Sequence, residues 1–532
     1  MRRLTGLDAA FLALETPHST GHVGGLSIVD PSTATQELNL ERLTSVLEPR
    51  LGLVPVMRQR LVDVPFGLDQ PVWIDDEYFD VEYHIREIAL PKPGNDEQLA
   101  EQVARIHARP LDRAKPLWEL YLITGLSGGR MAIYTKLHHA AIDGVSGVEI
   151  LSILFDLTPE PREVPAQDFT PRPAPSSLKL GSDALLKLVT RPLQATKIVS
   201  DALLSVPSLA SMARPYVEGV LRRRDGQQDG EIINVAPTLA PATPLNGEIS
   251  PHRKFSFRTV SLEDVKEIKN TFGCSVNDVV MAMCAAGLRR WLEEHQALPE
   301  SPLVTLMPVS IRTQGDQAGD GGNKVSAMLV TVPTHLGDPR ERLEATRSVT
   351  SVAKKSQAFI PQGLVDEVID FAPPALVARA AKMYFASHVF NRVPPFNVVI
   401  SNVPGPPVPV YAAGAKLLGH YPVSVVADGL GLNLTVIGYN GGLHFGLTAA
   451  RDRVPDVDRI NDWIEEELAV LLALAREEQV ARAAREAAPK RPPRPARPPN
   501  VRKRTSKAAT KKSAAQKAPA RKTTAKKSPS GS

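Results

Sequence analysis

Two adjacent histidines followed closely by an aspartate lie in the segment KLHHAAIDGVSG, which runs from Lys136 to Gly147. Imidazole changes its charge near neutral pH, so a positioned histidine is well suited to take and return a proton. An alcohol or amine that attacks a carbonyl becomes strongly acidic only as the new bond forms, and a histidine can then remove its proton without a covalent intermediate. The pattern predicts either such a proton-transfer site or a packed, hydrogen-bonded corner.

The backbone around the pair decides where each imidazole points. Adjacent residues of an extended chain point to opposite sides, so His138 and His139 cannot both face one substrate. We expect one of them to project into a cavity and the other to pack inward. Asp143 would orient an imidazole or hold the turn, and Gly144 permits a backbone angle that other residues resist.

A strand and a helix are predicted on either side of this turn. The residues RMAIYTKL alternate between two faces as a strand does, and VSGVEILSILFDL, after Gly144, is typical of a helix. The histidines would therefore lie where a strand ends and a helix is about to begin. Rigid elements on both sides are a usual support for reactive groups.

Two other kinds of site fit the sequence less well. A zinc site needs three or four ligands, and no cysteine or histidine cluster lies near the pair, so we expect no metal. A serine hydrolase of the α/β-hydrolase type would carry G-x-S-x-G, which the chain lacks. The proton-transfer and structural interpretations of the histidine turn both remain open at this point.

Composition indicates a folded, reduced and mostly acidic protein. The 532 residues allow about two to four domains, and a hydrophobic content of 43% is enough for a real core. Cys274 and Cys284 cannot form a disulfide framework, which favours a cytosolic compartment. The first residues lack the pattern of a signal peptide, and no apolar run is long enough to span a bilayer, so any membrane contact is expected to be peripheral.

The charge is divided unevenly along the chain. Pro489–Ser532 contains 15 Lys or Arg and no Asp or Glu, so the net charge of +5 corresponds to −10 for residues 1–488. This tail has no aromatic residue and one apolar residue larger than alanine, Val501. It cannot bury enough surface to offset the entropy of ordering, so we expect it to be disordered.

Changes in composition predict four segments within an α/β chain. We expect a first domain at 1–158 that holds the histidine pair, a Pro-rich and helical crossover at 159–250, a second domain at 251–472, and the end of a last helix with the basic tail at 473–532. In the crossover, Leu185, Leu186, Val189 and Leu193 are predicted on one helical face.

In the second domain several elements have clear sequence signals. Ser261 and Asp264 are expected to form a capping box at the start of a helix that stops at Gly273. The following segment, SVNDVVMAMCAAGLRRWLEEH, is predicted to be a buried helix. LVTLMPVSIR and FNVVISNVPG are predicted to be buried strands, and the Asn440-Gly441 pair to be the turn of a hairpin.

The chain resembles the bacterial wax ester synthase/diacylglycerol acyltransferase family, within the acyltransferases that share the chloramphenicol-acetyltransferase-like fold. The resemblance extends from Leu4 to about Arg451, with the motifs in family order. They are GLDAAFLALE, GHVGGL, PLDRAKPLWEL (Pro110 to Leu120), HHAAIDG, TPLNGEISPHRKF, SVNDVVMA (Ser275 to Ala282), MPVSIR (Met307 to Arg312), GNKVSAMLVTVP and SNVPGP (Ser401 to Pro406). The basic tail is not a family feature.

The resemblance implies a fold and a reaction. The fold would be two chloramphenicol-acetyltransferase-like α/β sandwich domains joined by a crossover, with a tunnel between them. The reaction would move a long-chain acyl group from acyl-CoA to diacylglycerol or a long-chain alcohol, with acyl-CoA as co-substrate and no cofactor. His139 matches the general base, and His138, Asp143 and Gly144 match its supporting motif.

The resemblance also marks three candidate substrate-binding residues. Asn277 and Asp278 match a second motif near the active site, and Asn277 would steady the acceptor or the developing oxyanion, unless it serves as a helix cap. Arg312 would contact the CoA or pair with an acid in the core. Pro404 and Gly405 are expected to shape a turn between the domains.

A water-insoluble acceptor requires contact with a lipid surface. We expect the tail to tether the chain to anionic membrane or lipid-droplet surfaces at the cytoplasmic side of the cell membrane, with nucleic acid as a less favoured partner. The segment Pro374–Phe390 is either a lipid-facing helix or a core helix. Two other functions stay open: transfer to another lipid, sugar or polyketide hydroxyl by the same fold, and lipid binding without catalysis.

Overall fold

A computed structural model describes most of the chain. The described residues are 2–4, 12, 15–142, 153–165, 169–186, 240–310, 325–356 and 394–487. Four predicted features lie wholly or largely outside them: the helix after Gly144, the crossover helix beyond Leu186, the segment Pro374–Phe390, and the basic tail from Pro489.

The described elements are strands and helices in mixed order. The strands are β1 (Arg2–Arg3), β2 (His22–Asp30), β3 (Gln59–Val62), β4 (Val72–Asp75), β5 (Ile85–Ala89), β6 (Trp118–Thr124), β7 (Met131–His138), β8 (Arg253–Ser261), β9 (Leu303–Ser310), β10 (Val325–Val332), β11 (Val398–Val403), β12 (Tyr411–Ala412), β13 (Ala415–Val423), β14 (Leu432–Tyr439) and β15 (Gly442–Ala450). The helices are α1 (Leu40–Leu51), α2 (Val81–His84), α3 (Asp96–Ala108), α4 (His139–Ile142), α5 (Leu262–Phe272), α6 (Val276–Glu294), α7 (Pro339–Ser356) and α8 (Val457–Ala487), with a further helical stretch at 177–186.

Two six-stranded sheets form the framework. The first has the order β12-β13-β2-β7-β6-β5, and the second has the order β10-β9-β11-β14-β15-β8. A third, small sheet has the order β1-β4-β3. Both large sheets are mixed, since β5 runs parallel to β6 while β11 runs parallel to both β9 and β14. The described residues up to Ala481 form one compact unit.

The first sheet takes two of its strands from the C-terminal half of the chain. Strand β11 ends at Val403 in the second sheet, and the chain then enters the first sheet at Tyr411. Strand β13 runs antiparallel to β2 and pairs Val423 with Gly24. Pro404 and Gly405, which were predicted to shape a turn between the domains, lie in this passage.

Helices cover both faces of the first sheet, and its strands contribute apolar side chains to a core cluster on each face. Leu43 and Leu47 of α1 join the core cluster that holds Leu137, while Val103 of α3 joins the cluster that holds Tyr134. Leu137 and Tyr134 lie on opposite faces of β7, as the alternation of a strand requires. In the second half a single large cluster joins the sheet to α5, α6, α7 and α8.

The two large sheets touch where β13 meets β15. A Cβ atom placed on Gly446 of β15 would lie 1.9 Å from the carbonyl oxygen of Pro422 on β13. Only a residue without a side chain permits this approach of the two backbones. The contact fixes the distance between the sheets at this point.

Several predicted elements are confirmed. Strand β7 ends at His138, helix α6 has a buried middle, and the hairpin of β14 and β15 turns at Asn440 and Gly441, which both have positive φ. At α5 the Ser261 hydroxyl accepts the N–H of Asp264, and Gly273 ends the helix in the left-handed conformation. The reciprocal capping box occurs instead at the next helix, α6.

No single helix among the described residues has both the length and the apolarity that crossing a bilayer requires. The pair formed by α5 and α6, bent by 104° at their junction, meets this requirement jointly by length and composition. The middle of α6 is buried in the core of the second half.

Gly446→Ala should destabilise the protein, because the new methyl group would overlap the Pro422 carbonyl and force the two sheets apart. Overpacking of this kind costs about 1–3 kcal/mol, so the urea midpoint of unfolding should fall. Gly438→Ala is the matched control: it lies on the neighbouring strand β14, and its Cβ would meet only Leu443 Cδ2 at 3.9 Å. Equal midpoints for the two variants would contradict the close approach.

Candidate active site

The site begins at the last residue of β7. The pairing of β7 with β2 ends at the pair His138–His22, and α4 begins at the next residue, His139. The Nδ1 atom of His138 accepts the backbone N–H of Ala140 at 3.1 Å. His138 thereby serves the first turn of α4 as a helix cap does, because it satisfies an N–H group that has no partner within the helix.

The second ring nitrogen of His138 contacts a carboxylate. Its Nε2 atom lies 3.0 Å from Oε1 of Glu15, and the side chain is buried. Since Nδ1 accepts a hydrogen bond, the proton of the ring must be on Nε2, which donates to Glu15. The contacts therefore assign His138 the Nε2–H tautomer.

Glu15 is held by three groups. Its Oε1 also accepts the backbone N–H of Gly21 at 3.0 Å, and its Oε2 accepts Arg113 Nη2 at 2.5 Å. Burial by itself would raise the pKa of Glu15, but the hydrogen bonds from His138, Arg113 and Gly21 outweigh it and lower the pKa to about 2. The carboxylate is thus ionised throughout the neutral range.

The position of His139 is fixed by a backbone hydrogen bond. Its N–H donates to the carbonyl of Gly21 at 2.8 Å, and its side chain is only half-buried. A Cβ on Gly21 would lie 2.8 Å from Nε2 of His138, so a larger residue there would displace the His138 ring. In agreement with the alternation rule, His138 is buried and His139 is only half-buried.

Two further histidines lie behind His138. The rings of His22 and His138 meet edge to face at 5.9 Å, and Nε2 of His22 accepts the N–H of Leu111 at 3.3 Å. His107 of α3 lies between Tyr134, whose hydroxyl is 2.8 Å from Nδ1, and the Ser424 carbonyl, 3.3 Å from Nε2. These side chains form a buried polar layer between the sheet and α3.

Burial keeps both of these histidines neutral. Burial and the nearby charge of Lys136 hold the pKa of His22 well below its usual value. For His107, burial followed by the charges of Lys136 and Arg253 lowers the pKa to about 3. Neither imidazole carries a charge at neutral pH, which suits groups that are shielded from water.

Lys136 is a fully buried cation in the same layer. Its Nζ donates to the carbonyls of Ile106, at 3.0 Å, and Arg109, both at the C-terminal end of α3, and lies 3.7 Å from Oε2 of Glu119. Burial lowers the pKa of Lys136 to about 8, against the raising effect of Glu119. A cation at this end of a helix is favoured by the helix dipole, so Lys136 ties α3 to β7.

The second predicted motif lies at the start of α6. Ser275 caps this helix and forms a reciprocal capping box with Asp278, whose carboxylate also accepts the Thr350 hydroxyl at 2.5 Å. The capping alternative for Asn277 is therefore wrong. Its side-chain amide lies 3.8 Å from Sδ of Met307, in the MPVSIR motif, and the residue is half-buried.

Three predicted site residues lie outside the described part of the chain: Asp143, Gly144 and Arg312. The described contacts join His138 to Glu15 and, through Gly21, to the backbone of His139. Asn277 and Asp278 belong to the second half. Among the described residues, no group of three or more His, Cys, Asp or Glu is arranged to hold a metal ion.

Sequence reasoning missed the partners of the histidine pair. Glu15 and Arg113 both lie in segments that resemble family motifs, but they are 98 residues apart, and neither is close in sequence to His138. Glu15 is one of two acids, with Asp8, that interrupt an apolar segment, and that signal does not identify its partner. His22 likewise has no local signal for its position beside His138.

Comparison with known proteins identifies the family. Residues 4–280 match the wax ester synthase/diacylglycerol acyltransferase catalytic domain, and residues 321–471 match the C-terminal domain of the same family. A putative diacylglycerol O-acyltransferase of Mycobacterium tuberculosis is 34% identical over 489 residues, which are 90% of this chain and 91% of that protein. A probable diacylglycerol O-acyltransferase of the same species is 36% identical over 467 residues, or 87% and 96% of the two chains.

A solved structure of a family member has a similar fold. The wax ester synthase/diacylglycerol acyltransferase of Marinobacter aquaeolei is 30% identical, with a TM-score of 0.61 over 89% of this chain and all of that one. The predicted fold class is confirmed: this is a two-domain, mixed α/β acyltransferase. The chain belongs to the wax ester synthase/diacylglycerol acyltransferase family.

The buried histidines predict that stability falls as the pH is lowered. The folded pKa of His107, about 3, lies below the ordinary value of about 6.5, so the unfolded chain binds more protons below pH 6.5. The contribution of neutral His107 to the free energy of unfolding is therefore complete above pH 6.5 and is lost progressively as the pH falls towards 3. The urea midpoint should fall between pH 7.5 and pH 4.5, and Glu15 should add a further loss below about pH 4.5.

His107→Gln isolates one of these groups. Glutamine offers an acceptor to Tyr134 and a donor to Ser424 but does not titrate, so the pH dependence of the midpoint should become shallower. His18→Gln is the control, since His18 is exposed and its replacement should leave the dependence as it is in the wild type. The same dependence in His107→Gln and wild type would refute the assignment of a buried neutral imidazole.

Proposed function

We propose that this protein transfers a long-chain acyl group from acyl-CoA to the free hydroxyl of diacylglycerol and produces triacylglycerol. Two relatives that match most of the chain are named diacylglycerol O-acyltransferases, which favours this acceptor. Long-chain alcohols are the second candidate acceptor, because the Marinobacter relative is also named a wax ester synthase. Acyl-CoA is the co-substrate, and the proposal requires no other cofactor.

His139 is proposed as the general base. Its imidazole takes the proton of the acceptor hydroxyl as that oxygen attacks the thioester carbonyl carbon. The tetrahedral intermediate then breaks its C–S bond, and the departing sulfur receives the proton from the imidazolium. One ester and one free CoA thiol are formed, so proton and electron pairs balance without a covalent enzyme intermediate.

The observation that supports this role is the contrast between the two adjacent histidines. His138 is buried, and both of its ring nitrogens are engaged by Glu15 and Ala140. His139 is half-buried, and its backbone is fixed by Gly21. A base needs a fixed position and access to substrate, and the burial of His138, with both ring nitrogens engaged, leaves His139 as the candidate base of the two.

The other motif residues take supporting roles in the proposal. Asn277 is not needed as a helix cap, so its amide is proposed to donate to the acceptor or to the developing oxyanion. Asp278 is proposed to fix the start of α6, the helix that carries Asn277. Asp143 and Gly144 are proposed to shape the turn after His139, and Arg312 to pair with an acid or with CoA.

His139→Ala should abolish transfer while the protein stays folded. Loss of a general base costs about a hundredfold to ten-thousandfold in rate. The measurement uses radiolabelled oleoyl-CoA with dioleoylglycerol and hexadecanol offered separately, and thin-layer chromatography separates triacylglycerol from wax ester. The ratio of the two products in the wild type identifies the preferred acceptor.

The control for this experiment is His18→Ala, which removes an exposed imidazole of the same half and should keep full activity. Wild-type rates in His139→Ala would rule out this histidine as the base. A wild type that binds lipid but makes neither product would overturn the proposal in favour of another acceptor hydroxyl or of lipid binding without catalysis.

We further propose a location at the cytoplasmic face of the cell membrane or on lipid droplets. The support comes from the sequence: Pro489–Ser532 contains 15 basic and no acidic residues, and each Lys or Arg near an anionic surface contributes about 1 kcal/mol. Nucleic acid is the less favoured partner, because the tail has no aromatic residues that could stack on bases.

Deletion of Pro489–Ser532 should reduce binding to anionic vesicles, because it removes the basic residues of the tail. Full-length and truncated proteins are compared by flotation with phosphatidylglycerol vesicles at low and at high salt, and the difference should shrink at high salt. Phosphatidylcholine vesicles are the control. Equal flotation of the two proteins on anionic vesicles would end the tether proposal.

A further inference from the structure

Glu15 connects the loop before β2 to the histidine turn. One of its oxygens accepts His138 Nε2 and the Gly21 N–H, each at 3.0 Å, and the other accepts Arg113. Arg113 also donates to the carbonyl of Leu12 at 2.8 Å, which fixes the segment that carries Glu15. The carboxylate faces donors on both of its oxygens, so its position and its charge are both determined by the fold.

This arrangement determines the state of His138. A carboxylate accepts hydrogen bonds and donates none, so it requires the proton of His138 to be on Nε2. Nδ1 is then left as an acceptor for the N–H of Ala140, at 3.1 Å. In the other tautomer, the Nδ1–H group would face the Ala140 N–H, two donors would meet, and the start of α4 would lose its cap.

His139 depends on the same contacts. It is the first residue of α4, between the strand end at His138 and the capped N–H of Ala140. Its own N–H donates to Gly21, the residue whose N–H is held by Glu15. A change at Glu15 is therefore expected to alter the position of His139 through His138 and the cap that His138 provides to α4.

We propose that Glu15, clamped by Arg113, is a positioning residue that acts through His138 to hold the base His139 in place. The inference rests on the proposed role of His139. Glu15 contacts no substrate in this proposal, so its loss lowers kcat and leaves the KM for acyl-CoA unchanged.

Glu15→Gln tests the proposal. A glutamine must turn its NH₂ group either to Arg113 or to His138 and Gly21, and both sides present donors. We expect kcat to fall at least tenfold, with KM for acyl-CoA within twofold of the wild type. Arg113→Gln leaves the carboxylate in place and should lower kcat less.

A double-mutant cycle separates positioning from general structural damage. If Glu15 acts through His138, Glu15→Gln should change kcat less than threefold when His138 is already alanine. Asp75→Asn is the matched control, because the carboxylate of Asp75 is likewise held by an arginine, Arg172, but it lies on β4 of the small sheet. It should leave kcat as it is in the wild type. Multiplicative effects of the Glu15 and His138 changes would overturn the proposal.

A second readout does not depend on activity. Long-range ¹⁵N–¹H spectra of histidine-labelled protein report the tautomer of each imidazole, and the His138 signal is assigned by its loss in His138→Ala. We expect the Nε2–H form in the wild type and a mixture of forms in Glu15→Gln. An Nδ1–H form in the wild type refutes the inference even if transfer is active. The Nε2–H form in a protein that transfers to neither acceptor refutes the role of the site in transfer, and only the tautomer assignment survives.

Discussion

The pairing of β13 with β2 is the constraint on which the architecture depends. β13 comes from the C-terminal half of the chain, yet it lies beside the strand that starts at His22, and Ser27 and His420 meet across it at 2.9 Å although they are 393 residues apart. β2 in turn pairs with β7, which ends at the histidine turn. β2 thus joins a strand from the C-terminal half to the strand that carries the site. Gly446 sets the spacing of the two large sheets at the contact with Pro422.

Behind the turn, polar groups replace apolar packing on one face of the first sheet. One face of β7, the face towards α3, carries Tyr134, Lys136 and His138 at every second position. An apolar strand would have buried three hydrophobic side chains there. Every unpaired polar atom at such a place would be costly, so each group is matched: the lysine to helix carbonyls, the histidine to a carboxylate and a backbone N–H. A layer of this kind has few alternative arrangements, and that rigidity is what a positioned base requires.

Local sequence signals were sufficient to predict secondary-structure elements, but they were insufficient to predict which side chains pair in the fold. The alternation along β7, the buried pattern of α6 and the Asn440-Gly441 turn each depend on neighbouring residues, and each was predicted correctly. Ser261 with Asp264 and Ser275 with Asp278 have the same local pattern, a serine and an acid three residues later, but only the second pair forms the reciprocal capping box. The local pattern therefore does not distinguish the two sites. The carboxylate partner of His138 could not be predicted, since no rule of spacing joins it to Glu15.

By itself, the sequence determined the family, the mixed α/β class, the strand that ends at the histidine pair and the rule that only one of two adjacent imidazoles can pack inward. These follow from motifs and from backbone periodicity, which are local properties of the chain. Only the tertiary structure decided which histidine is buried, which tautomer it holds and which acid holds it. Those answers depend on Glu15, Arg113 and Gly21, which lie far from His138 in the chain and meet it only when β2 pairs with β7.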